Sequence, residues 1–361
     1  MAPSIRPKYS RVPKEKFASY FAPLSSQPYI EPVPRNGLGP HHSPRSIAWN
    51  PLGSLVATGS DKTLRVWNPE KNNVRFSTEL KGHSAPVEKV AFNPVKDAEL
   101  CSVSSDGVAK LWDVRTKACV NEIKGLGSAH TLAWAPDGSS LLVGNRNGEL
   151  FQISPTRSAI VSTHPQPVET NQMAFCWSGE KVFLPTGDGK IRILSYPELE
   201  PVLHVNHTVK PGESTEFMLK GHTAPCLTAE LSPTGKYLAT GGADSIIALF
   251  DTKDWICQRT ITRLVGPVNS ISFTFDGSYV VGGCAEGMGS QPLFFLSQVR
   301  NDADAPIGSR LEVTHTETGE HVHTFKIKGP CEAVAWAPTR YCLAYSDDGS
   351  LRIVGVDADR K

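Results

Sequence analysis

Gly82-His83-Ser84, Val90-Ala91-Phe92-Asn93-Pro94, Ser102, Asp106-Gly107 and Lys110-Leu111-Trp112-Asp113 stand in one short stretch, and it decides how the whole chain reads. An apolar run enters a Pro turn and a second apolar run follows. An Asp then opens a tight turn into a third run that ends in Trp. Short apolar runs punctuated by turn residues are the signal of strands, not helices.

Working outward, the same order returns six more times. Upstream stand Ile47 to Gly53, Leu55 to Gly59, Asp61 and Leu64 to Trp67. Downstream, Leu132 to Gly138 is followed by Asn147 and Leu150 to Ile153, and Met173 to Gly179 by Asp188 and Ile191 to Leu194. Leu227 to Gly235 is followed by Asp244 and Ile247 to Phe250, and Ile271 to Gly277 by Leu311 to Thr314. The last copy has Val334 to Arg340, Asp348 and Leu351 to Val354. The turn position falls at Gly53, Lys96, Gly138, Gly179, Gly235, Gly277 and Arg340, so the intervals are 43, 42, 41, 56, 42 and 63 residues. A shared period near 42 is the length of a four-stranded propeller blade. The spacing therefore predicts an all-β, seven-bladed propeller over 28–361. Its two long intervals place inserts at about 205–218 and 287–308. The second insert, with Leu293-Phe294-Phe295-Leu296 at its centre, reads either as a loop or as the translation of a retained intron.

These residues resemble the WD40-repeat family over about 41–359. Gly82-His83 and Gly221-His222 supply that family's GH pair, and Trp112-Asp113 its WD pair. The resemblance implies a hydrogen-bonded network of His, Ser or Thr, Asp and Trp inside a blade. His83, Ser102, Asp106 and Trp112 match all four positions. His222, Thr240 and Asp244 match three, with Phe250 in place of the indole. Thr58, Asp61 and Trp67 match in the first blade, and Asp188 and Asp348 keep the acidic position. A buried carboxylate is costly unless paired, so these residues are expected to be structural.

A propeller leaves sheet edges open unless its first and last blades are joined. The seventh copy ends near Val356, so the missing strand is expected from about 28–34, with Tyr29 to Val33 beside Leu351 to Val356. Residues 1–44 hold nine prolines, six basic residues and two acidic ones. Residues 1–27 accordingly read as a basic, Pro-rich flexible tail. The competing reading is an arm that docks on a partner or touches RNA, with Lys14 to Tyr20 as a short helix and Phe17, Tyr20 and Phe21 as anchors.

Composition narrows the function. The 361 residues carry 37 Lys plus Arg and 36 Asp plus Glu, a net charge of +1. That balance disfavours nonspecific nucleic-acid binding, so any RNA contact is expected to be indirect or weak. The start, Met1 to Lys8, lacks the apolar stretch of a signal peptide, and no apolar run approaches the ~18 residues that span a bilayer, so neither secretion nor a membrane is expected. None of the eight cysteines forms a C-x-x-C pair, and they read as small buried hydrophobes. Gly187-Asp188-Gly189-Lys190 lacks phosphate-loop spacing, and His321-x-His323 has no evident third metal ligand. Without a nucleophile motif either, neither catalysis nor a cofactor, metal or small-molecule substrate is expected.

The string Leu194-Ser195-Tyr196-Pro197-Glu198-Leu199, with Ser232 to Asp244 and Leu132 to Asn145, is similar to the WD40 subunits of THO/TREX-type complexes. That resemblance implies a nuclear scaffold whose partners are other THO/TREX subunits and which helps couple transcription to mRNA packaging and export. The alternative is the substrate receptor of a ubiquitin ligase or another signalling scaffold. Candidate partner-facing residues on the connecting loops are Arg45, Arg146, Tyr196, Trp255 and Arg340.

Overall fold

A computed structural model describes residues 11–30, 44–206, 214–284 and 310–356. Seven four-stranded antiparallel sheets form the blades of a propeller, matching the spacing in the sequence. From inner to outer strand, blade 1 is Ser46–Trp49, Val56–Ser60, Thr63–Trp67 and Thr78–Lys81. Blade 2 is Val87–Phe92, Glu99–Ser104, Val108–Asp113 and Ala118–Ile123, and blade 3 is Ala129–Trp134, Leu141–Asn145, Glu149–Ser154 and Ala159–Pro165. Blade 4 is Ala174–Phe175, Lys181–Pro185, Lys190–Ser195 and Met218–Lys220, and blade 5 is Cys226–Leu231, Tyr237–Gly242, Ile247–Asp251 and Cys257–Ile261. Blade 6 is Val268–Phe273, Tyr279–Cys284, Arg310–His315 and His321–Lys326. Blade 7 contributes Val334–Trp336, Leu343–Asp347 and Ser350–Val354 and takes its outer strand from Gln27–Tyr29.

The second and third strands of each blade are buried almost throughout. Strands covered on both faces read as continuous apolar runs, which is why these were the clearest signals in the sequence. Neighbouring blades are also joined through their inner strands. The Trp134 indole donates to the Ala91 carbonyl at 3.0 Å and Trp49 to Ala335 at 2.9 Å. Ser46 and Ser270 accept from the Val90 and Val334 amides, each at 3.1 Å.

The ring closes through the leading segment in the register Gln27 to Ile353, Pro28 to Arg352 and Tyr29 to Leu351. The expected strand therefore lies a few residues early, and Glu31 to Val33 fall outside the described residues. Tyr29 sets that register. It is buried, stands edge-on to Trp67 at 5.6 Å, and its hydroxyl donates to the Pro69 carbonyl in blade 1.

The expected flexible tail is also corrected between residues 11 and 27. Lys14–Phe21 forms a helix, α1, that packs against the propeller. Eight residues with no side-chain N-cap make a marginal helix in isolation. Its stability here comes from Phe17 and Phe21, both fully buried between blades 6 and 7, where burying each ring contributes ~1.5–3 kcal/mol. Two tyrosines hold the entering chain: Val12 donates its amide to the Tyr341 hydroxyl at 3.1 Å, and the Tyr279 hydroxyl donates to the Val12 carbonyl at 2.7 Å.

The first insert is a two-stranded hairpin, His204–Asn206 paired with Ser214–Glu216, leading directly into the outer strand of blade 4. The second insert, 287–308, lies outside the described residues. The cysteines are all free, and they are not uniformly buried: Cys119 and Cys257 are exposed and Cys176 is half-buried. Both exposed thiols lie on outer strands, where one sheet edge meets solvent.

Candidate protein-interaction surface

The blade networks absorb most of the polar residues singled out in the sequence. In blade 2 the Trp112 indole donates to Ser102 Oγ at 2.8 Å, and His83 Nε2 lies 2.7 Å from the same oxygen. Asp106 turns the other way. Its Oδ2 accepts from the Ser84 amide and hydroxyl at 3.2 and 2.5 Å, and its Oδ1 accepts from the Val108 amide at 3.2 Å. His83 Nδ1 is left without a hydrogen-bond partner among the described residues. Burial pushes the His83 imidazole down to about 4, against the opposing pull of the Asp106 charge.

In blade 5 the acidic end of the chain is intact. His222 Nδ1 lies 3.1 and 3.2 Å from the two Asp244 oxygens, and Nε2 lies 2.8 Å from Thr240 Oγ1. Asp244 also accepts the Thr223 and Ile246 amides at 2.9 and 3.2 Å. In blade 1 the Trp67 indole donates to Thr58 Oγ1 at 3.2 Å, while Asp61 contributes its backbone carbonyl, which accepts from the Val87 amide at 2.5 Å. In blade 4 Asp188 accepts from the Thr186 hydroxyl and from Lys190, each at 2.5 Å.

Blade 7 requires a correction: the paired carboxylate is Asp347, not Asp348. Asp347 is buried, accepts the Lys328 and Gly329 amides at 2.7 and 3.2 Å, and pairs with Arg352 at 2.7 Å. Asp348 sits in the turn with φ of +48°, a left-handed conformation that Asp tolerates better than most residues. Equal offset in sequence thus hid a one-residue difference in the turn.

The loop candidates fall into two groups. Arg45 and Arg146 stay exposed, with Glu88 at 3.0 Å from Arg45 and Glu169 at 3.7 Å from Arg146. Tyr196, Arg340 and Trp255 are engaged within the fold. The Tyr196 hydroxyl joins Ser140 at 2.7 Å and Gln152 at 3.2 Å, tying blade 4 to blade 3. Arg340 reaches Glu70 at 2.8 Å, tying blade 7 to blade 1. Trp255 lies 5.5 Å from the Phe183 ring, half-buried in the cluster that joins blades 4 and 5. Phe17 and Tyr20 are corrected as free anchors: Phe17 is buried, and Tyr20 lies 5.8 Å from Tyr341. The aromatic spacing of α1 was visible in the sequence, but its seat is on this chain.

His321 and His323 do not converge. His321 pairs with Glu312 at 2.7 Å, and His323 stacks on Phe21 at 6.0 Å. No group of three or more His, Cys, Asp or Glu could hold a metal among the described residues. Two charged residues of the inner strands also escaped the sequence reading, Glu230 and Lys89. Glu230, on the inner strand of blade 5, accepts from the Phe273 amide at 3.0 Å and the Ser272 hydroxyl at 3.4 Å. Burial pushes its carboxyl up to about 7, and burial likewise holds Lys89, on the inner strand of blade 2, below its ordinary value.

The family model described as WD domain, G-beta repeat matches residues 34–68, 74–113 and 213–251. THO complex subunit 3 of Arabidopsis thaliana is 30% identical over 326 residues, covering 87% of this chain and 92% of that protein. This chain belongs to the WD40-repeat family. Within the family it is also similar to WD repeat-containing protein AAC3 of Dictyostelium discoideum, 31% identical over 70% of this chain and 55% of that protein. U3 small nucleolar RNA-associated protein 12 of Saccharomyces cerevisiae is 24% identical over 57% of this chain and 23% of that protein. WD40 repeats account for the order of elements, the GH and WD pairs and the blade networks. They also explain why the polar clusters serve the sheets: in blade 2 the Trp112 and His83 nitrogens meet their partner within the blade, and in blade 5 His222 does the same.

Proposed function

We propose that this chain is a non-catalytic scaffold subunit of a THO/TREX-type nuclear complex, coupling transcription to mRNA packaging and export through protein contacts. The observation that carries this reading is the likeness to THO complex subunit 3 along nearly the full length of both chains. The chemistry of the surface supports it. The conspicuous His, Ser, Thr, Asp and Trp residues are occupied in blade networks, while loops on a rigid ring hold side chains with little ordering cost on binding. The near-neutral charge favours protein partners over bare RNA phosphate.

Affinity purification of the full chain from nuclear extract, with mass spectrometry, tests the reading. Stoichiometric recovery of other THO subunits is expected, surviving nuclease treatment. Recovery of a ubiquitin-ligase core without THO subunits would overturn it. Salt titration of RNA binding by the purified chain is expected to show weak association, as befits indirect contact.

A further inference from the structure

Two inter-blade grooves of this ring can be compared by register, and they differ in what fills them. Between blades 6 and 7 the groove holds α1. Phe21 lies 5.2 Å from Phe325 and 6.0 Å from His323 on the outer strand of blade 6, and Val354 of blade 7 belongs to the same apolar cluster. Two blades away, between blades 4 and 5, lies an open groove of about 480 Å³. Its wall includes Phe217, Met218, Leu219, Phe250, Trp255 and Cys257. Leu219 pairs with Ile191 as Phe325 pairs with Leu311, so Phe217 and Leu219 occupy the positions of His323 and Phe325. Phe250 pairs with Leu238 as Val354 pairs with Leu343. The wall that receives α1 is thus repeated in more apolar form, and among the described residues no helix lies on it.

The insert hairpin extends this wall through Val205 and Thr215. Val205 and Cys257 of this wall remain exposed, with Ile256 exposed beside them, and a contiguous exposed apolar surface marks an interaction site. Charge narrows the occupant. Glu216 is closed off by a two-pronged bond from Arg192 at 2.7 and 2.8 Å, whereas Lys220 is exposed with no ion pair among the described residues.

We propose that the groove between blades 4 and 5 binds an amphipathic helix of a partner protein, presenting two aromatic anchors four residues apart, as Phe17 and Phe21 do, with an acidic residue facing Lys220. This rests on the scaffold reading and names its surface. Helix-in-groove recognition works by such anchors, and a few of them carry most of the affinity.

The exposed thiols supply the readout. Cys257 pairs with Phe250 as Cys119 pairs with Trp112, so Cys119 is the same position in blade 2 and serves as an internal control. The probe is a peptide of residues 12–24 carrying Lys14→Glu, Lys16→Glu and Ser19→Lys, made helical by a lactam bridge that condenses the Glu15 carboxyl with the amine introduced at position 19. At saturation with the full chain, alkylation of Cys257 by N-ethylmaleimide is expected to slow by about tenfold while Cys119 is unchanged. Lys220→Glu is expected to weaken the acidic peptide by about tenfold and to spare the lysine-bearing parent. Met218→Lys, at a half-buried wall position, is expected to weaken both.

Unprotected Cys257, or indifference to Lys220→Glu, would overturn the proposal. Protection that rises with protein concentration alone would replace the partner by a second copy. Protection without peptide that disappears when residues 285–309 are deleted would replace it by this chain's own insert. If THO subunits co-purify equally with the Met218→Lys chain and Cys257 stays reactive in that complex, the groove fails and the scaffold reading stands. If no THO subunit is recovered at all, the scaffold reading fails while the peptide result is judged on its own.

Discussion

Blades 2 and 5 start from nearly the same residues, and one hydrogen-bond chain is interrupted at a different link in each. Blade 2 has its indole: Trp112 and His83 meet at Ser102, and Asp106 is drawn away to Ser84. Blade 5 has lost the indole to Phe250, and His222 bridges Thr240 to Asp244. The lesson is that the network divides into two parts. One half ties the third strand to the second through a hydroxyl. The other half ties the loop entering the blade to the turn through a carboxylate. Both blades keep the carboxylate half, Asp106 on the Ser84 and Val108 amides and Asp244 on those of Thr223 and Ile246, so what blade 5 does without is the indole, and its apolar strands remain buried.

The largest expected effect separates packing from hydrogen bonding. Trp112→Ala removes a buried ring and its donor together and is expected to cost ~3–5 kcal/mol in chemical denaturation. Phe250→Ala should fall at the lower end of that range, because only packing is lost. Equal costs would show that the indole donor contributes nothing to blade 2.

The next effect is a pair of opposing pH dependences, one from His83 of blade 2 and one from Glu230 of blade 5. His83 is held down to about 4, so the unfolded chain binds more protons than the folded one between its ordinary value and that pH. Stability from this site is present above about 6.5 and is lost as pH falls toward 4, by about 1.4 kcal/mol per unit of displacement. His83→Asn should flatten that part of the curve. Glu230, raised to about 7 by burial, acts in the opposite direction: its contribution is lost as pH rises from about 4.5 through 7. Glu230→Gln should therefore remove an opposing slope, and a pair of variants that leaves the denaturation midpoint with unchanged pH dependence would refute both assignments.

A smaller effect tests the carboxylate half. Asp244→Ala strands the His222 ring nitrogen and the Thr223 and Ile246 amides. A cost of ~1–3 kcal/mol is expected, chiefly from the buried His222 ring, since the Thr223 amide is exposed and can turn to water. Asp106→Ala should cost less, because its partners stand in an exposed turn. The smallest change is Trp112→Phe, which gives blade 2 the ring of blade 5. A loss of ~1 kcal/mol is expected, with His83 keeping Ser102; a loss as large as that of Trp112→Ala would mean the indole cannot be spared.

The sequence was most informative where burial acts on both faces of a strand. There the apolar runs, the Gly turns and the spacing near 42 agree, and a single chain suffices to count seven blades. It was least informative where a choice depends on neighbours distant in the chain. Asp347 and Asp348 are indistinguishable by offset, and it is the φ of +48° at Asp348 and, at Asp347, burial, the amides of Lys328 and Gly329 and the pair with Arg352 that separate them. The Phe17 and Phe21 pair was visible as an amphipathic pattern, yet nothing local says whether its acceptor is a partner or this chain. Tyr196 and Arg340 looked like loop anchors because a loop position carries no mark of the blade it will touch. Phe217 drew no notice, and Trp255 was singled out only as a loop residue, because a groove wall is assembled from two blades.

By itself, the sequence determined the repeat, the all-β character, the order of strands within each blade and the need for a strand borrowed from the start of the chain. These follow from short-range patterning, in which residue order and strand periodicity are enough. Only the tertiary structure decided the register at Tyr29, the docking of α1 between blades 6 and 7 and the open groove between blades 4 and 5. Those features depend on which surfaces meet when a ring of sheets closes, and contacts hundreds of residues apart leave no periodic trace.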